Sequence, residues 1–123
     1  MILLDTNAVI LMNRRHRRAR ILDRYAGALR FSPVVLLELR FLEEYGRGRF
    51  RTRDPVLAVR EDPRWTYDDP PLGDVAERAL DLSWTRDPFD RLIAAHALVR
   101  RWRLATSDAT MLERLPASAT LEL

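Results

Sequence analysis

Four carboxylates, Asp5, Glu38, Asp90 and Asp108, stand where strand-like runs hand over to helices. Asp5 closes the apolar run Ile2-Leu3-Leu4 and opens the triplet Asp5-Thr6-Asn7, and Asp108 closes Arg103-Leu104-Ala105-Thr106-Ser107 in the same manner. In an open parallel sheet, ligands bind beyond the carboxyl ends of the strands. Two carboxylates placed there, with two more on adjoining helices, make a pocket of negative charge. Folding does not favour such a pocket, because like charges repel and lose hydration at a cost. A divalent cation offsets that cost, and ligation by carboxylates and water suits Mg2+, with Mn2+ as the alternative.

The elements that must hold these acids follow from the hydrophobic pattern. Residues 2–5 read as a buried parallel strand, apolar without alternation. Thr6-Asn7 is expected to cap a short helix carrying Val9, Ile10 and Met12, and a second helix is expected from Ile21, Leu22, Tyr25, Ala28 and Leu29 at helical spacing. Arg30-Phe31 is a brief strand. Ser32-Pro33 then starts a helix, serine as cap and proline in the first turn, which runs to about Tyr45 and stops at Gly46. Glu38 shares a row of that helix with Val34, Phe41 and Tyr45, an apolar setting that is costly for a carboxylate without a cation or hydrogen bond. A loop and a short helix from Pro55 to Arg60 lead to an edge strand at Arg64 to Tyr67. Helices over about Gly73 to Leu82 and Pro88 to Arg101, a strand at 103–107, a helix at 109–115 and a last strand at Thr120 to Leu123 complete the chain. The alternation specifies an α/β fold with a parallel sheet, read as one domain over residues 1–123.

Composition narrows the chemistry. With no cysteine, thiolate metal sites and disulfides are excluded, and two histidines, His16 and His96, do not furnish a zinc site of the usual ligands. All 21 basic residues are arginine, and the net charge is +3 with a pI near 10.1. Base-composition bias in the genome accounts for most of that preference, yet the guanidinium fork still matches phosphate oxygens. The clusters Arg14 to Arg20 and Arg47 to Arg53 stand as solvated loop charge or as rims that grip phosphate. Trp65, Trp84 and Trp102 read as packing rather than base stacking. No apolar run approaches membrane-spanning length, and no basic leader precedes Met-Ile-Leu-Leu-Asp, so a cytoplasmic protein is expected.

Asp87-Pro88-Phe89-Asp90-Arg91-Leu92-Ile93-Ala94-Ala95-His96-Ala97 is the most specific stretch. Asp87 reads as the cap and Pro88 as the first helical residue. Asp90 shares a face with small Ala94 and Ala97, which lets the helix approach the sheet and aims Asp90 at the strand ends. The other face, Phe89, Leu92, Ile93, His96 and Val99, is expected to be core.

Taken with Met1 to Asn7, Glu38 in its post-proline helix and Thr106 to Asp108, this stretch makes the chain resemble the PIN-domain ribonucleases, specifically the VapC-type toxins of bacterial toxin–antitoxin pairs. The resemblance extends over essentially the whole chain. It implies a three-layer α/β/α sandwich with a mostly parallel five-stranded sheet, magnesium-dependent endoribonuclease activity, and inhibition by a cognate antitoxin. Carried over residue by residue, Asp5 and Asp90 resemble the principal metal ligands, Glu38 and Asp108 complete the acidic site, and Thr6 and Thr106 resemble its supporting hydroxyls. Asp87 is assigned to capping, and His96, where this family often has glutamine, is assigned no chemistry.

Other readings are weaker. A phosphoacceptor receiver domain needs a lysine, and a P-loop enzyme needs a glycine-rich loop followed by one; the chain has neither. A structure-specific DNA nuclease would use the same acids but normally needs added elements to bend or thread DNA. A non-catalytic binding module would use the acids as helix caps alone. Phe41, Tyr45 and Trp65 are the expected face of a homodimer.

Overall fold

In the computed structural model, which describes residues 1–46 and 52–123, the N-terminal apolar run forms strand β1 (Ile2–Leu4), buried at all three positions. It is flanked by β2 (Leu29–Phe31) and β4 (Arg103–Thr106), with β3 (Thr66–Tyr67) and β5 (Thr120–Glu122) at the edges, in the order β3-β2-β1-β4-β5. Every pairing is parallel. Leu4 lies opposite Phe31 on one side and Ala105 on the other. That level register brings the residues after β1 and β2, Asp5 and Ser32, out at one edge together with the end of β4. The strand order reverses between β1 and β4, and their carboxyl ends therefore border a crevice.

The sheet is the middle layer of a three-layer α/β/α sandwich. Helix α1 (Thr6–Asn13) follows β1, α2 (Pro33–Glu44) follows β2, and α3 (Pro55–Glu61) leads towards β3. Helices α4 (Leu72–Ala79) and α5 (Pro88–Arg100) pack on each other and cross back to β4, and α6 (Ala109–Arg114) joins β4 to β5. Leu3, Leu4, Leu104 and Ala105 in the two central strands are fully enclosed, with Leu22, Val35, Leu39 and Ile93 packed around them.

Local signals explain most boundaries. Ser32 accepts from the Val34 amide at 3.1 Å with Pro33 in the first turn, and α2 ends at Tyr45 and Gly46, whose φ of 65° is the left-handed backbone that glycine tolerates. Four expectations are corrected. The cap of α1 is Asp5 rather than Thr6-Asn7. The helix expected over Ile21 to Leu29 is a 3-10 segment, Arg17–Tyr25, because Gly27 at φ 85° turns the chain, Ala28 accepts from the Ile2 amide at 2.9 Å, and Leu29 enters β2. On α5, the five residues Ile93 to Ala97 are buried all round, whereas Phe89, Leu92 and Val99 are half-buried. Trp65 is buried, its indole donating to the Val59 carbonyl at 2.8 Å, so it is not available to a dimer face; Phe41 and Tyr45 are exposed.

Candidate active site at the carboxyl ends of β1 and β4

Each acid reaches the crevice by a local rule. Asp5 ends β1 and caps α1, its Oδ1 accepting from the Ala8 amide at 2.7 Å. Asp108 follows β4 and caps α6, accepting from the Met111 amide at 2.9 Å. Asp87 caps α5 through Oδ1, to the Phe89 amide at 2.8 Å and the Asp90 amide at 3.3 Å, which leaves Asp90 in the first turn of that helix. Glu38 projects from the second turn of α2. A capping aspartate spends one oxygen on the helix, so its second oxygen is open to another partner. Capping and site-building are therefore compatible roles for the same side chain.

Asp5, Glu38, Asp90 and Asp108 line one cavity of about 480 Å3, together with Thr6, Asn7 and Ser107. The Thr6 hydroxyl donates to Glu38 Oε1, and Asn7 Nδ2 donates to Ser107 Oγ, tying the start of α1 to α2 and to the end of β4. Buried Thr106 accepts from the Asp108 amide at 3.0 Å and hydrogen-bonds the Asp5 carboxyl.

The electrostatics are those of an uncompensated acidic hole. Burial raises the Asp5 carboxyl from 3.8 to about 6; hydrogen bonds from Thr106 and the Ala8 amide oppose the rise, and the charges of Glu38 and Asp108 add to it. Burial likewise raises Asp90 from 3.8 to about 7, reinforced by Asp87, Glu38, Asp108 and Asp5. Glu38 is raised by burial, with the Thr6 hydrogen bond opposing and Asp87 adding to the rise. Among the described residues, no arginine or histidine forms an ion pair with any of these five acids. The donor set fits a divalent cation: Glu38, Asp87 and Asp90 each offer an oxygen within 4.8 Å of the other two. Oxygen donors alone favour Mg2+ or Mn2+ over softer metals. Asp87, read from the sequence only as a cap, thus stands beside Asp90; nothing local in the sequence shows that Glu38 meets it there.

The remaining readings separate cleanly. His96 is buried with Nε2 2.7 Å from Asp68 Oδ2, and Arg100 Nε donates to the same oxygen at 3.0 Å. Burial lowers the His96 pKa against the pull of Asp68, so the ring is a neutral donor in the core, away from the acidic cavity. Trp102 lies beside it, ring centroids 6.0 Å apart, and packs against the core with Trp84. Of the arginine clusters, Arg14 lines the acidic cavity, whereas Arg15 and Arg20 line a separate one. Arg47, Arg49 and Arg51 lie outside the described residues, and Arg53 is exposed.

Solved structures similar to this fold include chains from a toxin–antitoxin complex, from a VapBC complex and from a VapC toxin. A chain of a toxin–antitoxin complex from Klebsiella pneumoniae is similar with a TM-score of 0.71 and 22% identity over 100% of both chains. A chain of VapBC2 from Rickettsia felis, bound to a DNA fragment from its promoter, gives 0.71 at 20% identity over 99% of this chain and 98% of that one. Mycobacterium tuberculosis VapC20, a sarcin–ricin loop cleaving toxin, gives 0.64 at 20% identity, covering 94% and 97%. At such identities the likeness is one of fold. No curated protein sequence matches at a significant level. The PIN domain family model matches residues 2–117, nearly the whole length, and the chain belongs to the PIN-domain family.

Proposed function

We propose that the protein is a divalent-cation-dependent endoribonuclease and the toxin of a toxin–antitoxin pair. The observation that carries this reading is the convergence of Asp5, Glu38, Asp90 and Asp108 on one cavity where, among the described residues, none of them forms an ion pair. Such an arrangement is costly unless a cation occupies it. Asp5 and Asp90 are its principal ligands, with Glu38 and the second oxygen of Asp87 in reach and Asp108 completing the acidic wall. When bound, Mg2+ or Mn2+ lowers the pKa of a water and neutralises charge building on the scissile phosphate.

The chain's own residues supply the rest. Glu38, its pKa raised by burial, accepts the proton of the attacking water. Thr6 holds one Glu38 oxygen by hydrogen bond, which leaves the other for that proton. Thr106 fixes the Asp5 carboxyl and the Asp108 amide, so the two acids at the strand ends keep their spacing. Attack by water leaves a 5′-phosphate and a 3′-hydroxyl. Attack by the RNA 2′-hydroxyl is disfavoured, because it calls for paired histidines and His96 is committed to Asp68.

The basic exterior, with net charge +3, favours a polyanionic substrate. VapC20, a sarcin–ricin loop cleaving toxin, supports RNA as that substrate, and the Klebsiella complex supports a protein inhibitor. The inhibitor places a cationic side chain or an extended segment at the mouth of the cavity, competing for the carboxylates. Exposed Leu37, Phe41 and Tyr45 along α2 are the face a second copy covers in a homodimer. Among the described residues no helix is long and apolar enough to cross a membrane, in keeping with action in the cytoplasm. The test is expression: the wild type alone arrests growth, Asp90→Asn does not, and coexpression with the adjacent gene restores growth and yields a complex on purification. Harmless accumulation of folded wild-type protein refutes the toxin role.

A further inference from the structure

Residues at the carboxyl end of α1 line two separate cavities. One is the acidic cavity, with Thr6, Asn7 and Ile10 along its wall and Arg14 at its end. The other, of about 870 Å3, begins at Met12 and takes in Arg15, His16 and Arg20. The chain changes course between Arg14 and Arg15. The Arg15 amide donates to the Met12 carbonyl at 3.1 Å and the His16 amide to the Leu11 carbonyl at 2.9 Å, with Arg15 at φ 53°. This is the hydrogen-bond pair of a Schellman turn, with arginine in the left-handed position where glycine is usual and a Cβ is costly. The turn makes Arg14, its amide fixed to the Ile10 carbonyl at 2.9 Å, the last residue on the acidic side.

Arg14 is the one cation lining that cavity among the described residues, and its side chain is exposed and forms no ion pair there. An arginine lining the same cavity as four carboxylates without pairing to them is free to take an anion from outside. Along α1 the rise from Thr6 to Arg14 is roughly 12 Å. That offset favours, as the anion it meets, not the phosphate at the carboxylates but one farther along the same strand. Arg15 and Arg20 line the other cavity together with Asp23, Glu61, Asp62 and Arg64, where Asp62 pairs with Arg64.

Resting on the ribonuclease reading above, we propose that Arg14 binds a phosphate of the RNA strand flanking the scissile one through the fork of its guanidinium, and so sets how the strand lies across the acidic cavity. It is a substrate-binding residue, distinct from the acids that hold the cation.

The experiment measures KM and kcat for cleavage of a single-stranded oligoribonucleotide in magnesium, and its binding by fluorescence anisotropy with calcium in place of magnesium. Arg14→Ala raises KM on the order of 10-fold to 100-fold, with kcat held within about twofold. The slope of log affinity against log salt falls by about 0.7 in the same variant. Arg14→Lys, which keeps charge but loses the fork, is intermediate. Arg101→Gly is the control: it removes an equal charge at another left-handed position, φ 57°, that lines neither cavity. Unchanged KM and slope in Arg14→Ala overturn the proposal, as does an equal loss in Arg101→Gly or Arg15→Gly, which would mean general charge. Binding that depends on Arg14 without any cleavage by the wild type upholds Arg14 and refutes the nuclease. Cleavage indifferent to Arg14 does the reverse.

Discussion

Replacing Asp5 by asparagine isolates the cost of building the acidic cavity. Asp5 is 6% exposed, so solvent screens it little. A carboxyl whose pKa climbs from 3.8 to about 6 on folding carries a penalty of roughly 3 kcal/mol when it ionises. The folded chain binds this proton more tightly than the unfolded chain, so the contribution of Asp5 to metal-free stability is greatest at low pH. It falls as pH rises from about 4 to about 6, and the full penalty stands above that. Asparagine is neutral throughout and still accepts from the Ala8 amide as a cap. It has one acceptor oxygen where the carboxylate has two for Thr106 and Ala8, which leaves a net gain of about 1–2 kcal/mol at pH 8. For a chain of this size that is a rise in Tm of about 4–8 °C. The assay is a set of thermal melts at pH 5 and pH 8, in EDTA and in magnesium. The wild type gains stability from magnesium at pH 8, and Asp5→Asn is more stable in EDTA but gains little from the metal. A variant less stable than wild type at pH 8 in EDTA, or one with an undiminished magnesium response, refutes the reasoning.

Three further outcomes follow from the same geometry. Glu38→Gln keeps the Thr6 contact but cannot take a proton, so kcat falls by about 100-fold or more while RNA affinity stays near wild type; equal losses in both would make Glu38 a structural residue. Magnesium binding displaces protons from Asp5 and Asp90, whose pKa values stand at about 6 and about 7, so affinity climbs as pH rises towards 7 and levels off above it. Calorimetry in two buffers of different ionisation heat reads the released protons, and their absence at pH 6 contradicts the shifts. Asp68→Ala strips His96 and Arg100 of their shared acceptor and costs about 2–4 kcal/mol in urea unfolding without touching the metal response; a loss below about 0.5 kcal/mol would show the triad to be idle.

The parts of the fold that read clearly from sequence are those with local punctuation. Ser32-Pro33 and Asp87-Pro88 mark helix starts, Gly46 marks a stop, and the unbroken apolar run Ile2–Leu4 marks a strand covered on both faces. Punctuation also places Asp5 and Asp108 near strand ends, because a residue that caps a helix after a strand must emerge at the sheet's edge, and it places Asp90 in the first turn of α5. What is hidden depends on distant residues or on backbone that the residue type disguises. The reach of Glu38 to Asp87 is set by how α2 packs on α5, not by anything next to either acid. Helical spacing does not separate a 3-10 segment from an α-helix over Arg17–Tyr25. The left-handed turn that divides Arg14 from Arg15 is masked because arginine, not glycine, occupies it. Trp65 looks like a surface aromatic on an edge strand, yet its indole is buried against the Val59 carbonyl.

The most direct measurement is cleavage of a single-stranded oligoribonucleotide by purified wild-type protein and by Asp90→Asn, with magnesium and with EDTA, followed by identification of the product ends. The wild type cuts only with the metal and leaves 5′-phosphates and 3′-hydroxyls, and Asp90→Asn, folded and no less stable, does not cut. RNA left intact by magnesium-bound wild type, cleavage that persists in EDTA, or equal cleavage by Asp90→Asn would contradict the account.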